Sequence, residues 1–463
     1  MTRYRAEKDF LGRKDVPADA YYGIETQRAV DNFPISGTAV PPDFIKAYAI
    51  VKRSAAIANM KLNKLDSVRG RAIVKACDEV IAGKHSGQFP VDIFQAGAGT
   101  NTNMNLNEVI ANRALEIMGR RKGDYKHVHP NDHVNMSQST NDTFPSAMHI
   151  SVYAALKDSL IPRLWRLQRT LEKKAGEFAN VIKVGRTHLQ DAVPMTLGQE
   201  FSGYASAVER SAGNLERAAD ALLQLPLGGT AVGTGIEASR RYSSIVISEV
   251  NKYTGMKFRA GKNLFDLQQN ELEEIVVSSA LRDLAVVLSK VCNDLRLLAS
   301  GPNAGFGEIV LPAVQPGSSI MPGKVNPSVL EMYNMVCFDV IGKDATIAYA
   351  AESGQLELNV FMPVIAFTLI TAIDRLSRAT DVLVKRCISG IKANEKEMKE
   401  QVEHDVTVVT ALAPYIGYSK AASIAKRAKR EGKSVRQVCL EMKVMTKADL
   451  DKVLNPRNLT KRR

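Results

Sequence analysis

Aromatic residues, and tryptophan above all, are scarce in this chain of 463 residues. They make up 6% of it, with one tryptophan at position 165, whereas alanine, leucine, valine and lysine are plentiful. This balance favours helices packed on helices over a β-sandwich. The hydrophobic share of 45% and the charged share of 24% are typical of a soluble globular protein. The sequence therefore predicts a mainly α protein, long enough for about three domains.

Long apolar runs and paired cysteines are also missing. No uninterrupted apolar stretch reaches the ~18 residues that a membrane span requires, and the N-terminal residues lack the apolar segment of a signal peptide. The five cysteines are odd in number and include no Cys-x-x-Cys pair. They predict reduced, mostly buried thiols in a cytoplasmic protein. Since no metal-ligand spacing appears either, we expect neither a metal nor an organic cofactor.

Acidic residues are outnumbered, which gives a formal net charge of +13 and a pI of about 9.4. The basic residues are spread along the chain, with some concentration in 426–433 and at Lys461, Arg462 and Arg463. No helix-turn-helix, zinc or RNA-binding signature surrounds them, so we expect no nucleic-acid partner. A solvated basic surface that steers small dianions is the favoured interpretation. A basic helical scaffold without catalytic activity is the alternative from outside the enzymes.

Apolar residues at helical spacing predict five long helices. Pro162 marks either a kink or a helix start in the first of them. Their apolar stripes are wide enough to need burial on more than one side, so we expect self-association. The domains predicted are 1–140, mixed and mostly helical; 141–394, the long-helix bundle; and 395–463, small and helical. The helices predicted are Leu156–Leu171, Phe201–Leu222, Asn270–Ala299, Val329–Ala351 and Phe361–Ile391.

The most informative segment is Gly317–Pro327, which holds two glycines, two prolines, two adjacent serines, a lysine and an asparagine. No apolar period of 2 or 3.6 fits it, so it is a loop. It is not a phosphate-binding P-loop, because five residues separate its glycines and Val325 follows Lys324. Such a loop can aim backbone N–H groups at an anion and present Ser318 or Ser319 as a reactive oxygen. Lys324 is suited to bind a carboxylate.

Four other polar stretches interrupt the helical pattern. Residues 97–105 combine a glycine turn with amides and hydroxyls that suit carboxylate oxygens, although such clusters are usually turns. Residues 137–142 precede a helix, where they would cap it, bind an anion, or both. Residues 185–191 contain a lone histidine, which is more often structural than catalytic. The glycines of 228–235 do not fit a dinucleotide-binding spacing, so a tight turn lining a site is the favoured interpretation.

Segment 317–327 resembles the signature of the fumarase/aspartase superfamily of lyases, and the resemblance covers essentially the whole chain. It implies a small dicarboxylate substrate from which ammonia or water is eliminated to give fumarate. It also implies a homotetramer in which the central helices of four subunits form a twenty-helix bundle. Each active site would then draw residues from three subunits, with no metal or cofactor.

The resemblance further implies a role for each matched residue. Ser318 would be the base, supported by Ser319, and His188 would be a ligand of the substrate carboxylate or the leaving group. Glu331 would pair with His188 and favour its charged form. His129, Asn131 and Asp132 match a second dicarboxylate-binding position. The residues expected to bind substrate are Thr100, Asn101, Ser139, Thr140, Asn141, Thr187, Lys324 and Asn326.

Shorter sequence segments, each similar to one branch of the superfamily, indicate the leaving group. Ala20–Val30, Gly97–Thr100, Gln138–Asn141 and Ala351–Asn359 are similar to the ammonia-eliminating branch. Val128–Pro130, Thr143–Ile150 and Pro322–Lys324 are similar to the water-eliminating branch. Differences next to substrate, Thr140 above all, carry more weight than more distant ones. The sequence therefore favours L-aspartate over L-malate as the substrate, with L-malate as the alternative.

Overall fold

A computed structural model describes residues 3–460, which form a mainly helical protein, as predicted. The strands are short and paired in twos: β1 Tyr4–Asp9, β2 Gly12–Pro17, β3 Ile182–Thr187, β4 Gln190–Thr196, β5 Gln224–Leu225, β6 Arg259–Ala260, β7 Ile309–Val310 and β8 Lys392–Ala393. The helices are α1 Ile24–Asn32, α2 Pro42–Lys61, α3 Ser67–Ile81, α4 Thr100–Ile117, α5 Thr140–Ala155, α6 Ile161–Glu177, α7 Leu197–Ala219, α8 Tyr242–Thr254, α9 Asp266–Gln269, α10 Leu272–Leu298, α11 Ser328–Glu352, α12 Met362–Arg386, α13 Glu395–His404, α14 Ala413–Ile416, α15 Tyr418–Glu431, α16 Val435–Glu441, α17 Lys447–Val453 and α18 Pro456–Leu459.

The five helices predicted from apolar spacing correspond to α6, α7, α10, α11 and α12. The predicted boundaries of the first, second and fifth segments were wrong. The first helix extends to Glu177 instead of Leu171, and the second spans Leu197–Ala219 instead of Phe201–Leu222. The first segment was expected to begin at Leu156, but Leu156–Leu160 forms a π turn and α6 begins at Ile161, just before Pro162. Because Pro162 lacks the N–H that would bond to the carbonyl four residues earlier, the helix widens at this turn. The fifth segment ends at Arg386 rather than Ile391, because Ile388–Gly390 tightens into a 3₁₀ turn.

One compact unit comprises the chain up to Ile161 together with Asn214–Asp283 and Asp339–Leu376. Within it, α2 packs against α3, α5 and α8. The rings of Phe44 and Phe144 lie 4.7 Å apart between centroids, and Tyr48 meets both edge-on. This aromatic cluster fixes the start of α5 relative to α2, where several predicted site residues lie.

The other compact unit comprises Pro162–Gly213, Leu284–Phe338 and the chain from Ser377. It contains the antiparallel hairpin β3–β4, which pairs Ile182 with Thr196 and Thr187 with Gln190. Its C-terminal helices bury an apolar cluster of their own, which includes Leu412, Ile424, Val438, Cys439 and Leu450. The three-domain division stays a prediction.

All five cysteines are free and buried, as expected. The basic stretch 426–433 lies on α15 and the turn after it, where Arg427 and Lys433 both pair with Glu441. The basic residues Lys461–Arg463 lie outside the described residues. Over the part of the chain that is described, no helix has the length and apolar character that crossing a bilayer demands.

Candidate active site

The loop Gly317–Asn326 folds back on itself at its base. Gly317 donates its N–H to the carbonyl of Lys324 at 2.8 Å, and Asn326 Nδ2 donates to the carbonyl of Gly317 at 2.7 Å. A Cβ at position 317 would come within 2.6 Å of the Lys324 carbonyl, so this approach requires glycine. Asn326, predicted to bind substrate, therefore also closes the loop.

Ser318 occupies the inside of the turn. Its Oγ accepts the backbone N–H groups of Ile320 at 3.2 Å and of Met321 at 3.0 Å. Two donors aimed at one oxygen stabilise negative charge on that oxygen. Ser319 is exposed, as is Lys324. The geometry distinguishes the two serines, because Ser318 is the one whose oxygen the backbone supports.

Glu331 lies in the first turn of α11, just after this loop, and its Oε1 is 3.9 Å from Arg296 Nη2. Its pairing with His188 stays a prediction.

Thr187 and His188 lie at the tip of the β3–β4 hairpin. His188 and Leu189 form its two-residue turn with φ of 56° and 59°, a left-handed conformation that side chains with a Cβ rarely adopt. Both residues and Thr187 are exposed. Strained, exposed residues at a tip are typical of functional positions. The sequence did not predict this hairpin.

Buried ion pairs anchor the hairpin. The carboxylate of Glu308, fully buried, lies 2.6 Å from Lys183 Nζ and 2.5 Å from Arg186 Nη1. Arg186 also donates to Gln401 on α13 at 3.1 Å and covers the ring of Phe306. Arg186 directly precedes Thr187, so these contacts fix the strand that presents the predicted substrate ligands.

Thr100 begins α4 after a tight turn. Ala98 in that turn donates its N–H to the carbonyl of Val360, and Gly99 adopts a φ of 80°. Thr100 is exposed at the helix start. Asn101 Oδ1 accepts the N–H of Ala96 at 2.9 Å, so this predicted substrate ligand also holds the turn together.

Ser139 caps α5, as one of the two interpretations of this stretch predicted. Its Oγ accepts the N–H of Asn141 at 3.2 Å, and Asp142 Oδ1 accepts the N–H of Ser139 at 3.0 Å, which completes a capping box. Thr140 is buried, and Asn141 Nδ2 donates to the carbonyl of Ala231 at 2.8 Å. The roles of these three residues in substrate binding stay predictions.

Asp142 was not predicted, yet it connects this helix start to the glycine-rich turn 228–235. Its Oδ2 accepts the N–H groups of Gly228 at 2.9 Å and Thr230 at 3.1 Å. Burial raises the pKa of Asp142 to about 6, although the N–H groups it accepts act in the opposite direction. The spacing Ser139-x-x-Asp142 was the signal that could have identified it. The turn 228–235 thus lies beside Asn141, consistent with its interpretation as a site-lining turn.

Lys52 is a second functional candidate that sequence reasoning missed. It lies on α2 with no exposed surface, and its Nζ donates to Asn135 Oδ1 at 2.8 Å and to Gln138 Oε1 at 3.0 Å. Burial lowers the pKa of Lys52 to about 7. The signal was a lysine four residues after Tyr48 on an otherwise apolar helix face.

The predicted second dicarboxylate position forms a π turn, Pro130–Val134. His129 Nδ1 accepts the N–H groups of Asn131 and Asp132 at 3.2 and 3.3 Å, and the side chains of both residues are exposed. Asn131 and Asp132 also line a surface cavity of about 470 Å³, whose other lining residues are Lys64, Asn135, Met136, Ser137, Gln138 and Glu237. Its use by a dicarboxylate stays a prediction.

Comparison with known proteins identifies the family. A family model for lyases matches residues 12–342, and one for the fumarase C C-terminus matches residues 408–461. The chain belongs to the fumarase/aspartase superfamily of lyases.

Relatives with two different names are similar over nearly the whole chain. An aspartate ammonia-lyase of a Bacillus species is 51% identical, over 99% of this chain and 98% of the relative. A class II fumarate hydratase of Bacillus cereus is 45% identical, over 98% of both.

Solved structures of this superfamily share the fold. A fumarate lyase:delta crystallin from Brucella melitensis, bound to cobalt, has a TM-score of 0.96 at 47% identity and covers 99% of this chain and 100% of that one. A class II fumarase from Schistosoma mansoni has a TM-score of 0.95 at 38% identity, with 99% of both chains covered. In residues 3–460, no group of three or more His, Cys, Asp or Glu side chains is arranged to hold a metal ion.

Proposed function

We propose that this protein is an aspartate ammonia-lyase, which converts L-aspartate to fumarate and ammonia. The observation that carries the chemistry is the Ser318 oxygen, which accepts two backbone N–H groups inside a loop that also carries Lys324. Four aspartate ammonia-lyases are 50–51% identical to the chain over 98–99% of its length, and three class II fumarate hydratases are 45–46% identical. A fifth aspartate ammonia-lyase, from Escherichia coli, is 46% identical, the same as the hydratases. The similarity therefore favours ammonia as the leaving group.

The difficult step is removal of a weakly acidic proton from the carbon beside a carboxylate. Ser318, as an alkoxide, takes the proton from C3, and the electron pair left behind moves into the adjacent carboxylate. This aci-carboxylate carries a second negative charge. The C–N bond then breaks, its electron pair leaves with the nitrogen as ammonia, and the C2–C3 double bond of fumarate forms.

The bound diacid is held by groups that supply hydrogen bonds or positive charge. Stabilisation of the aci-carboxylate is the largest catalytic contribution, with each well-placed donor worth roughly 10²–10³ in rate. Lys324 and Asn326 bind a carboxylate and orient the substrate. Thr187 and His188 bind a carboxylate or the leaving amine. The remaining donors are Thr100, Asn101, Ser139, Thr140 and Asn141.

Loop closure belongs to this mechanism. Ile320 and Met321, beside Ser318, are 84% and 49% exposed. Their burial over a bound diacid would exclude water and strengthen the bonds to the Ser318 oxygen. Gly323, at a φ of 85°, is a natural hinge.

The assembly proposed is a homotetramer with a twenty-helix bundle and active sites shared by three subunits. The domains 1–140, 141–394 and 395–463 belong to the same proposal, with the second contributing the bundle. A cytoplasmic location is supported by the five free, buried thiols.

Elimination of water from L-malate is the second candidate function, supported by the 45–46% identity to fumarate hydratases and by the fumarase-like string Val128–Pro130. One assay compares the two. Fumarate absorbs in the ultraviolet, so its appearance is followed after L-aspartate or L-malate is added to the purified protein. Turnover of L-aspartate with little of L-malate supports the proposal, and the reverse result assigns the protein to the hydratases. If neither substrate yields fumarate, the result would favour a non-catalytic scaffold.

A further inference from the structure

Lys52 is buried beneath the start of α5, where its hydrogen-bond partners are neutral and the nearby Asp142 carboxylate favours its charged form. The acceptors of its ammonium group are the amide oxygens of Asn135 and Gln138. The Tyr48 ring contributes its face at 5.3 Å. A charge fully removed from water is costly unless it is compensated. Asp142 compensates the ammonium only in part, because burial still lowers the pKa of Lys52 on balance, so the ammonium retains a tendency to attract a further anion.

The amides that hold Lys52 belong to a larger buried network. Asn135 Oδ1 also accepts from Asn103 Nδ2 at 3.2 Å and from Asn107 Nδ2 at 3.3 Å. Asn135 Nδ2 donates to the carbonyl of Gln138 at 3.2 Å. Gln138 directly precedes Ser139, the cap of α5. The orientation of these amides therefore determines where the chain enters the helix.

We propose that Lys52 is a positioning residue for dicarboxylate binding. Its ammonium orients the Asn135 and Gln138 amides that set the Ser139–Asn141 turn, and it adds positive charge beneath the N-terminal end of α5. This inference rests on the proposed function, since it assumes that this turn receives a substrate carboxylate. The partial positive charge of the helix start acts in the same direction.

The surroundings make Lys52 the group that changes charge near neutral pH. Burial lowers the pKa of Lys52 to about 7 and raises that of Asp142 on α5 to about 6. Burial also raises the pKa values of Tyr48 on α2, Cys77 on α3 and Tyr242 on α8, so these stay neutral. The neighbouring side chains of α4 in the network are uncharged amides. Above about pH 6.5, the loss of positive charge from this cluster is therefore the deprotonation of Lys52.

The decisive experiment compares Lys52→Met with Lys46→Met, which removes an exposed lysine from the same helix. Fumarate formation is measured from about pH 6.5 to 9, a range that includes the pKa of Lys52 but not that of an ordinary lysine. Lys52→Met should raise KM roughly tenfold at the acid end while kcat changes much less, because a charge near the bound anion is lost. Lys46→Met should match the unmodified protein.

The pH profile separates positioning from a merely structural role. In the unmodified protein KM should rise as Lys52 loses its proton, and this rise should be absent from Lys52→Met. An unchanged KM in Lys52→Met, or the same rise in both proteins, overturns the inference. A rise that persists in the variant belongs to another group.

Failure of the proposed function is distinguishable from failure of this inference. If neither substrate yields fumarate, the turnover assay is replaced by calorimetry, which measures the binding of succinate, a non-reacting diacid. Weaker binding by Lys52→Met than by Lys46→Met supports the inference, and equal or absent binding overturns it. If Lys52→Met does not fold, the succinate affinity of the unmodified protein still tests the idea, because an affinity that does not fall between about pH 6.5 and 9 contradicts it.

Discussion

At the scale of single residues, the proposed mechanism requires Ser318 to act as a base, although a serine hydroxyl in water is a poor one. The two backbone N–H groups that reach its oxygen lower the cost of the alkoxide, and closure of the loop over substrate would lower it further. The neighbouring Ser319 has the same functional group and is exposed. Substituting each serine in turn therefore compares an oxygen that accepts two backbone N–H groups with an exposed one.

Replacing Ser318 by Ala should lower kcat by about 10²–10⁴-fold, the usual contribution of a general base. The folded protein should still bind succinate, because the carboxylate ligands are untouched. Ser319→Ala should cause a much smaller loss. Circular dichroism and calorimetry with succinate establish folding and binding, and the fumarate assay gives the rates. Near-normal turnover in Ser318→Ala would assign proton removal to another residue.

The lowered pKa of Lys52 also predicts how the stability of the fold depends on pH. Its pKa is about 7 in the folded protein and about 10.4 in the unfolded chain, so the unfolded state binds more protons between these values. The buried charge therefore destabilises the fold fully below pH 7, and this penalty is relieved as pH rises. Relative to Lys52→Met, the melting temperature of the unmodified protein should increase from about pH 6 to pH 9 by a few degrees. A constant difference between the two melting curves would contradict the lowered pKa.

At the scale of secondary-structure elements, the start of α4 depends on Gly99. Its φ is 80°, and a Cβ there would lie 2.1 Å from the ring of Phe144, which is held between Phe44 and Tyr48. The ring cannot move aside, because the core around it is closely packed.

Gly99→Ala should therefore destabilise the protein by roughly 2–4 kcal/mol, from overpacking together with the left-handed backbone. Gly119→Ala is the matched control, since its φ is 71° but nothing lies within 4 Å of the added Cβ. That variant should cost only about 1 kcal/mol. Denaturant unfolding measures both. Gly99→Ala should also raise KM, because Thr100 would shift, and equal stabilities of the two variants would refute the steric argument.

Elements were predictable from the sequence to different degrees. The long helices followed from apolar spacing, because burial of one face imposes a period of 3.6 on any sequence. The β3–β4 hairpin did not, since its turn is His188-Leu189 where two-residue turns favour Asn-Gly. A strained turn is maintained by the surrounding contacts, here those of Glu308, and such contacts are not local in sequence.

The residues of the candidate site were likewise only partly predictable from the sequence. Polar residues clustered in loops, such as Ser318 and Lys324, stand out because no apolar period includes them. Asp142 and Lys52 do not, because each lies within a largely buried helix, and only the three-dimensional structure brings their partners together. Buried charges with functional roles are for this reason harder to identify from sequence than exposed ones.

At the scale of the whole molecule, several long helices present apolar side chains to solvent. On α11, Met335, Phe338 and Tyr349 are 66%, 60% and 72% exposed. Clustered exposure of large apolar side chains usually marks a protein–protein interface. This supports the proposed tetramer, in which such faces would be buried in the twenty-helix bundle.

Sharing of active sites predicts that two inactive variants restore each other. Thr187 and Ser318 are proposed to enter one active site from different subunits. In a mixed tetramer of Thr187→Val and Ser318→Ala, some sites would receive an intact Thr187 from one chain and an intact Ser318 from another. Coexpression should therefore yield fumarate-forming activity well above that of either variant alone. If every site were built from one chain, each would keep a defect and activity would stay low.

The matched control pairs Ser318→Ala with Lys324→Ala, whose changes lie in the same loop. That loop is closed by the bond between Gly317 and Lys324, so it enters a site as one piece from one chain. Every loop in such a mixture carries one of the two defects, and no site can be complete. Restoration by the first pair together with none by the second would require residues from different chains at each site. Equal activity of the two mixtures would instead mean that the site is not shared in this way.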